Sequence, residues 1–118
     1  MSEFTIYHNP RCSKSRQTLA LLEEHGVQVN IVEYLKTPPS ATTLLALSKA
    51  LAIPLADMLR TKEDEYKALG LKTFSGSKRE LAEIVAQHPK VLERPIVLNE
   101  DRQHARIGRP PESVLELL

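Results

Sequence analysis

Cys12 is the only cysteine in the chain, and the residues around it are those that sharpen a thiol. The segment Phe4-Thr5-Ile6-Tyr7-His8-Asn9-Pro10-Arg11-Cys12-Ser13-Lys14-Ser15-Arg16 reads as a short strand, a turn and the start of a helix. A thiol at a helix start meets unpaired backbone N–H groups and the positive end of the helix dipole. Both favour the thiolate, which is the nucleophilic form. His8, Arg11, Lys14 and Arg16 add positive charge beside the same sulfur. A lone cysteine is more often a small buried apolar residue, because free Cys ranks among the most buried types. The polar and basic flanks argue against that placement here, so Cys12 is read as reactive.

Two chemistries suit such a thiol: thiol–disulfide exchange and attack on an oxyanion. A Cys-x-x-Cys pair is absent, because Ser15 occupies the second position. A Cys-x5-Arg phosphate loop is absent too, because Thr18 stands where the arginine would be. What remains is a single thiol that needs a thiol from another molecule to resolve its adducts. Arg60, Arg94 and Arg109 are the candidate anion ligands. A guanidinium fork matches tetrahedral oxyanions and keeps its charge. Arg94 directly precedes Pro95 and Arg109 directly precedes Pro110, where the backbone is restricted. Arg102 and Arg106 are read as surface residues. His8 ends the first strand and could act on the thiol as a cation or a donor. His25, His88 and His104 read as structural. No spaced His/Cys/Asp cluster suggests a metal.

These residues need elements to position them. Phe4 and Ile6 alternate on a first strand, Phe4 to Tyr7. A helix from about Ser13 to His25 stops at Gly26, with Leu19 and Leu22 on one face. Val27, Val29 and Ile31 alternate on a second strand, which a βαβ connection makes parallel to the first. Ser40 caps a helix from Ala41 to Leu51 with a Leu44–Leu47–Leu51 stripe. Short helical turns are expected over Pro54–Leu59 and Glu63–Leu69. Ser77-Lys78-Arg79-Glu80 is a capping box that opens a helix to about His88, its core face carrying Leu81, Ile84 and Val85. Pro95-Ile96-Val97-Leu98 reads as a buried strand, and Ala105–Ile107 pairs back on it after a polar turn. A last helix from Pro110-Pro111 carries Val114, Leu115 and Leu118.

The order β-α-β, helices, β-β-α resembles a thioredoxin-like α/β domain with a mixed central sheet. On this reading residues 1–118 form one domain with a helical insertion at about 40–90. In that architecture the cysteine after the first strand lies at the helix N-terminus. A proline opening the third strand, here Pro95, faces it in cis.

At 118 residues the chain suits a compact domain, and one cysteine leaves no internal disulfide. That fits a reducing compartment. No signal peptide or bilayer-length apolar run is seen, so a cytoplasmic protein with no membrane partner is expected. The net charge is +1, and there are three Tyr, two Phe and no Trp. Nucleic acid is therefore not an expected partner. Local basic clusters in a near-neutral chain suit a small anion better.

The segment from Ile6 to Arg16 resembles the active-site signature of the glutaredoxin-linked arsenate reductases, the ArsC family. The resemblance continues at Tyr34-Leu35-Lys36-Thr37-Pro38-Pro39-Ser40, Leu59-Arg60, Leu69-Gly70-Leu71, Gln87-His88-Pro89, Arg94-Pro95-Ile96-Val97 and Arg109-Pro110. It implies that Cys12 attacks arsenate as a thiolate. His8 and Ser15 would keep it ionised, Ser15 through its hydroxyl. Arg60, Arg94 and Arg109 would bind the oxyanion. Glutathione would act as co-substrate and glutaredoxin would reduce the mixed disulfide, with no cofactor bound. Arg11 and Lys14 stand where arsenic-detoxifying members carry smaller or neutral residues, and the Arg94–Arg109 spacing is longer than theirs. These departures suggest a housekeeping homologue. Two alternatives are a glutathione-dependent thiol oxidoreductase without arsenate activity and an Spx-like regulator that binds RNA polymerase. Ser15 removes the cysteine pair that an Spx-type redox switch uses.

Overall fold

A computed structural model describes residues 3–118. The chain divides into two compact units, residues 1–37 with 94–118, and Pro38–Glu93.

The first unit is built on a four-stranded sheet. Its elements are β1 (Phe4–His8), α1 (Ser13–Glu24), β2 (Val29–Glu33), β3 (Ile96–Asn99) and β4 (His104–Ile107), closed by a 3₁₀ helix over Pro111–Leu117. The strand order is β2-β1-β3-β4. β1 pairs parallel with β2, placing Ile6 opposite Ile31, and antiparallel with β3, placing Ile6 opposite Val97. β3 and β4 are antiparallel, with Ile96 opposite Ile107. The sheet is mixed, as expected for a thioredoxin-like fold. β1 lies inside the sheet, so its C-terminal end delivers Cys12 next to the start of β3 and the end of β4.

One face of the sheet buries Phe4, Ile6 and Val97 against Leu22 of α1 and Val114 and Leu117 of the terminal helix. This apolar burial is the main stabilising term for the unit. Gly26 ends α1 at φ +73°, a conformation that favours glycine. β2 starts at Val29 rather than Val27. One further expectation fails on helix period. The terminal segment winds as a 3₁₀ helix, with three residues per turn, so Pro111, Val114 and Leu117 face inward. Leu118, expected in the core, is exposed. On α1 the fully buried positions are Ser15, Thr18 and Leu22, and Leu19 packs partly buried on the same core as Leu22, as expected.

The second unit contains α2 (Ala41–Leu51), α3 (Asp64–Ala68), α4 (Lys78–Gln87) and 3₁₀ turns at Leu55–Met58, Leu71–Thr73 and Pro89–Val91. Ser40 caps α2 by accepting the Thr43 N–H. Both halves of the Ser77–Glu80 capping box are formed on α4. Leu44, Leu47, Met58, Val85, Val91 and Leu92 make its core. Ala82 and Val85 are the buried residues of α4, while Leu81 and Ile84 are only half-buried. A bridge between Leu59 and Leu92 ties the chain on either side of Arg60, whose N–H donates to Val91 O at 2.7 Å. Among the described residues no helix is long and apolar enough to cross a membrane.

Candidate active site at the start of helix α1

Cys12 occupies the N-cap position of α1. The preceding turn is held by local bonds: Cys12 N–H donates to Asn9 O at 3.0 Å, and Arg11 N–H to Asn9 Oδ1 at 3.0 Å. Asn and Pro at this turn are suited to it, since the Asn side chain binds backbone two residues on. Cys12 O accepts from Arg16 N–H and so begins the helix. The thiol is partly exposed and free.

Burial pushes the Cys12 thiol up, but the opposing influences outweigh it. The Ser15 backbone N–H, the Arg94 guanidinium, the Lys14 backbone N–H and the Arg109 guanidinium all favour the anion. The thiol therefore lies below its ordinary value. Neither N–H makes a full capping hydrogen bond to the sulfur, so both act through their positive ends.

Two arginines come to this sulfur. Arg109 Nη2 donates to Cys12 Sγ at 3.6 Å, and its Nε donates to Arg94 O at 2.8 Å. One guanidinium thus grips both the thiol and the backbone of the other arginine. Arg94 acts on Cys12 through its charge, and its Nε is buried with no hydrogen-bond partner among the described residues. A buried N–H without a partner is uncommon and costs stability. The Arg94–Pro95 and Arg109–Pro110 peptide bonds are both cis. Pro95 O accepts the Gly108 N–H at 2.9 Å, which joins the start of β3 to the end of β4.

His8 and Ser15 lie beside this centre but differ from the expected arrangement. His8 Nδ1 and Ser15 Oγ are 2.7 Å apart, and Asn9 N–H donates to the same Oγ at 3.0 Å. The Ser15 hydroxyl is therefore occupied by His8 and Asn9, and it is the Ser15 backbone N–H that acts on the sulfur. Burial lowers the His8 pKa, with Glu33 opposing and Arg16 reinforcing the shift. His8 is thus neutral in neutral solution, and it reaches the site through Ser15 rather than as a cation on the thiolate.

Arg60 belongs to the second unit, where Glu63 lies 2.9 Å and Glu93 4.0 Å from its guanidinium nitrogens. Arg106 is engaged with Ala105 O and Glu116 and is not part of the thiol cluster. His88 Nδ1 meets Glu65 at 3.0 Å, and His25 Nδ1 meets Leu21 O at 2.9 Å. No group of three or more His, Cys, Asp or Glu is arranged for a metal among the described residues. A groove at the other end of β1, lined by Phe4, Val27, Asn30, Asn99 and Arg102, contains no nucleophile.

Two supporting residues escape sequence reasoning. Thr18 is fully buried and donates from Oγ1 to Lys14 O at 2.7 Å. Gly108 packs directly against it. A Cβ on Gly108 would sit 2.5 Å from Thr18 Oγ1 and 2.8 Å from Pro95 Cγ. The position of Gly108, immediately before Arg109, is the one signal that could have marked it.

The sequence model described as the ArsC family matches residues 7–117, which includes the whole thiol cluster. The chain belongs to the ArsC family. An arsenate reductase of Haemophilus influenzae is 49% identical over 114 residues, covering 96% of this chain and 97% of its own. An uncharacterised protein of Escherichia coli K12 is 52% identical over 114 residues, covering 96% and 94%. A solved structure of an arsenate reductase from Vibrio cholerae has 47% identity and a TM-score of 0.93, covering 99% of this chain and 98% of that one. This ArsC-family chain thus shares its thioredoxin-like fold across nearly its full length.

Proposed function

We propose that the protein reduces arsenate to arsenite through the Cys12 thiolate, with glutathione and glutaredoxin supplying the electrons. The observation that carries this reading is the Arg109 contact to Cys12 Sγ, with Arg94 gathered on the same sulfur. A nucleophile and two permanent cations at one point suit an anion that must be both attracted and attacked. The arsenate reductases among its relatives support the choice of substrate.

In this mechanism Cys12 Sγ attacks arsenic(V), forms the S–As bond and expels one oxygen as water. Arg94 and Arg109 balance the charge on the remaining oxygens. Arg60 takes the same role by resemblance to the family alone. A glutathione thiol then displaces the arsenic from sulfur. Its sulfur attacks Cys12 Sγ, so the S–S bond forms as the S–As bond breaks. The electron pair of the S–As bond stays on arsenic, which is reduced from As(V) to As(III) and leaves as arsenite. Glutaredoxin removes the glutathione and restores the thiol. His8 and Ser15 hold the turn that presents Cys12.

The test is purified protein with glutathione, glutaredoxin, glutathione reductase and NADPH. Arsenate-dependent NADPH consumption that disappears in Cys12→Ser is the expected result, because a hydroxyl is a far weaker nucleophile than a thiolate. A folded wild type with no arsenate-dependent turnover would move the reading to a thiol oxidoreductase without arsenate activity.

A further inference from the structure

Thr18 occupies a position in α1 where an apolar side chain would suffice. It is fully buried and shares the inward face of the helix with Ser15 and Leu22. Valine has the same branched shape and would bury there with no oxygen to satisfy. A threonine that bonds back onto its own helix is also a weak helix former. The Ser15 hydroxyl on the same face has a task, since it meets His8 and Asn9. The Thr18 hydroxyl is given to Lys14 O, at 2.7 Å.

That carbonyl is one half of a peptide unit whose other half faces the nucleophile. The C=O of Lys14 and the N–H of Ser15 belong to one planar amide. Ser15 is the third residue of α1, the position whose N–H a capping side chain meets, and Cys12 stands at the cap. A donor on the carbonyl oxygen polarises the amide and makes its N–H more positive. The path therefore runs from a buried hydroxyl, through one peptide plane, to the sulfur. Burial disfavours the Cys12 anion. Of the groups that favour it, the Ser15 N–H comes first, ahead of Arg94, the Lys14 N–H and Arg109. In regular helix geometry Lys14 O also receives the Thr18 N–H, so it keeps a partner when the hydroxyl is removed.

We propose that Thr18 is a positioning residue for the nucleophile: its hydroxyl orients and polarises the Lys14–Ser15 peptide, so that the Ser15 N–H holds the charge on Cys12 Sγ. This rests on the reading of Cys12 as the nucleophile, and it adds a residue that acts one peptide plane away from the thiol. It is separate from the packing of Thr18 on Gly108, which uses the shape of the side chain rather than its proton.

Two substitutions separate the proton from the shape. Thr18→Val keeps the branch and loses the donor, whereas Thr18→Ser keeps the donor and loses the methyl group. Thiolate absorbance of Cys12 is followed against pH, with the Cys12→Ser form of each variant as blank. In Thr18→Val the midpoint should rise. About one pH unit below the wild-type midpoint, its thiolate fraction should fall roughly 1.5-fold to fivefold. The Ser15 amide proton, read by nuclear magnetic resonance, should move upfield as its peptide loses polarisation. Thr18→Ser should keep the wild-type midpoint although it loses packing. Thr18→Val in an Arg109→Ala background should produce the same fold-change, because the path through Ser15 does not pass through Arg109. Circular dichroism checks each fold. An unchanged midpoint in Thr18→Val would overturn the inference. So would an equal rise in Thr18→Ser, or an effect that vanishes in the Arg109→Ala background, since either makes Thr18 a packing residue only. A wild-type thiol that titrates like an ordinary alkyl thiol would remove the nucleophile reading and the inference together, and the wild type alone reveals that outcome.

Discussion

Replacing Gly108 with alanine should damage both stability and the thiol. The new Cβ would lie 2.5 Å from Thr18 Oγ1, 2.8 Å from Pro95 Cγ and 3.1 Å from Thr18 Cγ2. None of these atoms can step aside easily. Thr18 is fully buried, its Oγ1 is bonded to Lys14 O at 2.7 Å, and rotating χ1 only exchanges one branch for another. The Pro95 ring is fixed at the start of the buried strand β3. Relief must come from the backbone of β4 moving away, which lengthens the 2.9 Å bond from Gly108 N–H to Pro95 O. Overpacking of this kind costs about 1–3 kcal/mol, which for a chain of this size lowers Tm by roughly 3–15 °C. Because Arg109 is the next residue, its 3.6 Å contact to Cys12 Sγ should lengthen too, and the thiol should rise toward its ordinary value. Thermal unfolding and the pH dependence of iodoacetamide alkylation read the two effects. The Thr18→Ala/Gly108→Ala double variant should lose less stability than the two single losses summed, because two of the three close contacts involve Thr18. An unchanged Tm together with an unchanged alkylation profile would refute the packing argument.

Arg109→Ala should raise the Cys12 pKa and lower kcat/KM for arsenate about 10²–10³-fold, the usual loss for one oxyanion-stabilising donor. Arg109→Lys should restore part of the pKa but little of the rate, because an ammonium cannot grip Sγ and Arg94 O as a fork. Titration of His8 should also be visible in stability. Its folded pKa lies below the ordinary 6.5, so the unfolded chain binds more protons and folding loses stability as pH falls below about 6.5. His8→Asn, followed by denaturant melts across that range, should remove this part of the acid sensitivity. A pH dependence identical to wild type would show that His8 does not titrate as its burial implies.

Much of the scaffold was legible because its signals are local. The Ser77–Glu80 capping box and the Ser40 cap each fix a helix start within a few residues, and Gly26 ends α1 at the residue where chirality demands it. The parallel β1–β2 pair follows from chain connectivity. What escaped depends on contacts between residues far apart in sequence. The inward faces of the terminal segment hinge on whether three or 3.6 residues make a turn, and that is decided by packing on the sheet. Ser15 and Thr18 are polar residues of a basic helix start, and nothing local in that stretch marks them as fully buried. His8 reads as a cation or a donor on the thiol, but burial favours its neutral form and its Nδ1 meets Ser15. Apart from its place beside Arg109, Gly108 carries no signal in the sequence, because its role exists only where the end of β4 meets α1. At the candidate site the sequence singled out Cys12, His8, Ser15, Arg60, Arg94 and Arg109. It could not show that Arg109 touches both the sulfur and Arg94 O, a junction between residues 97 positions apart.

The most direct measurement is the ionisation of Cys12 in the intact protein. Thiolate ultraviolet absorbance is followed against pH, with Cys12→Ser as the blank. A midpoint clearly below that of an ordinary alkyl thiol, rising when Arg94 and Arg109 are replaced by alanine, is the expected result. A wild-type midpoint at or above the ordinary value would contradict the assignment of Cys12 as the nucleophile.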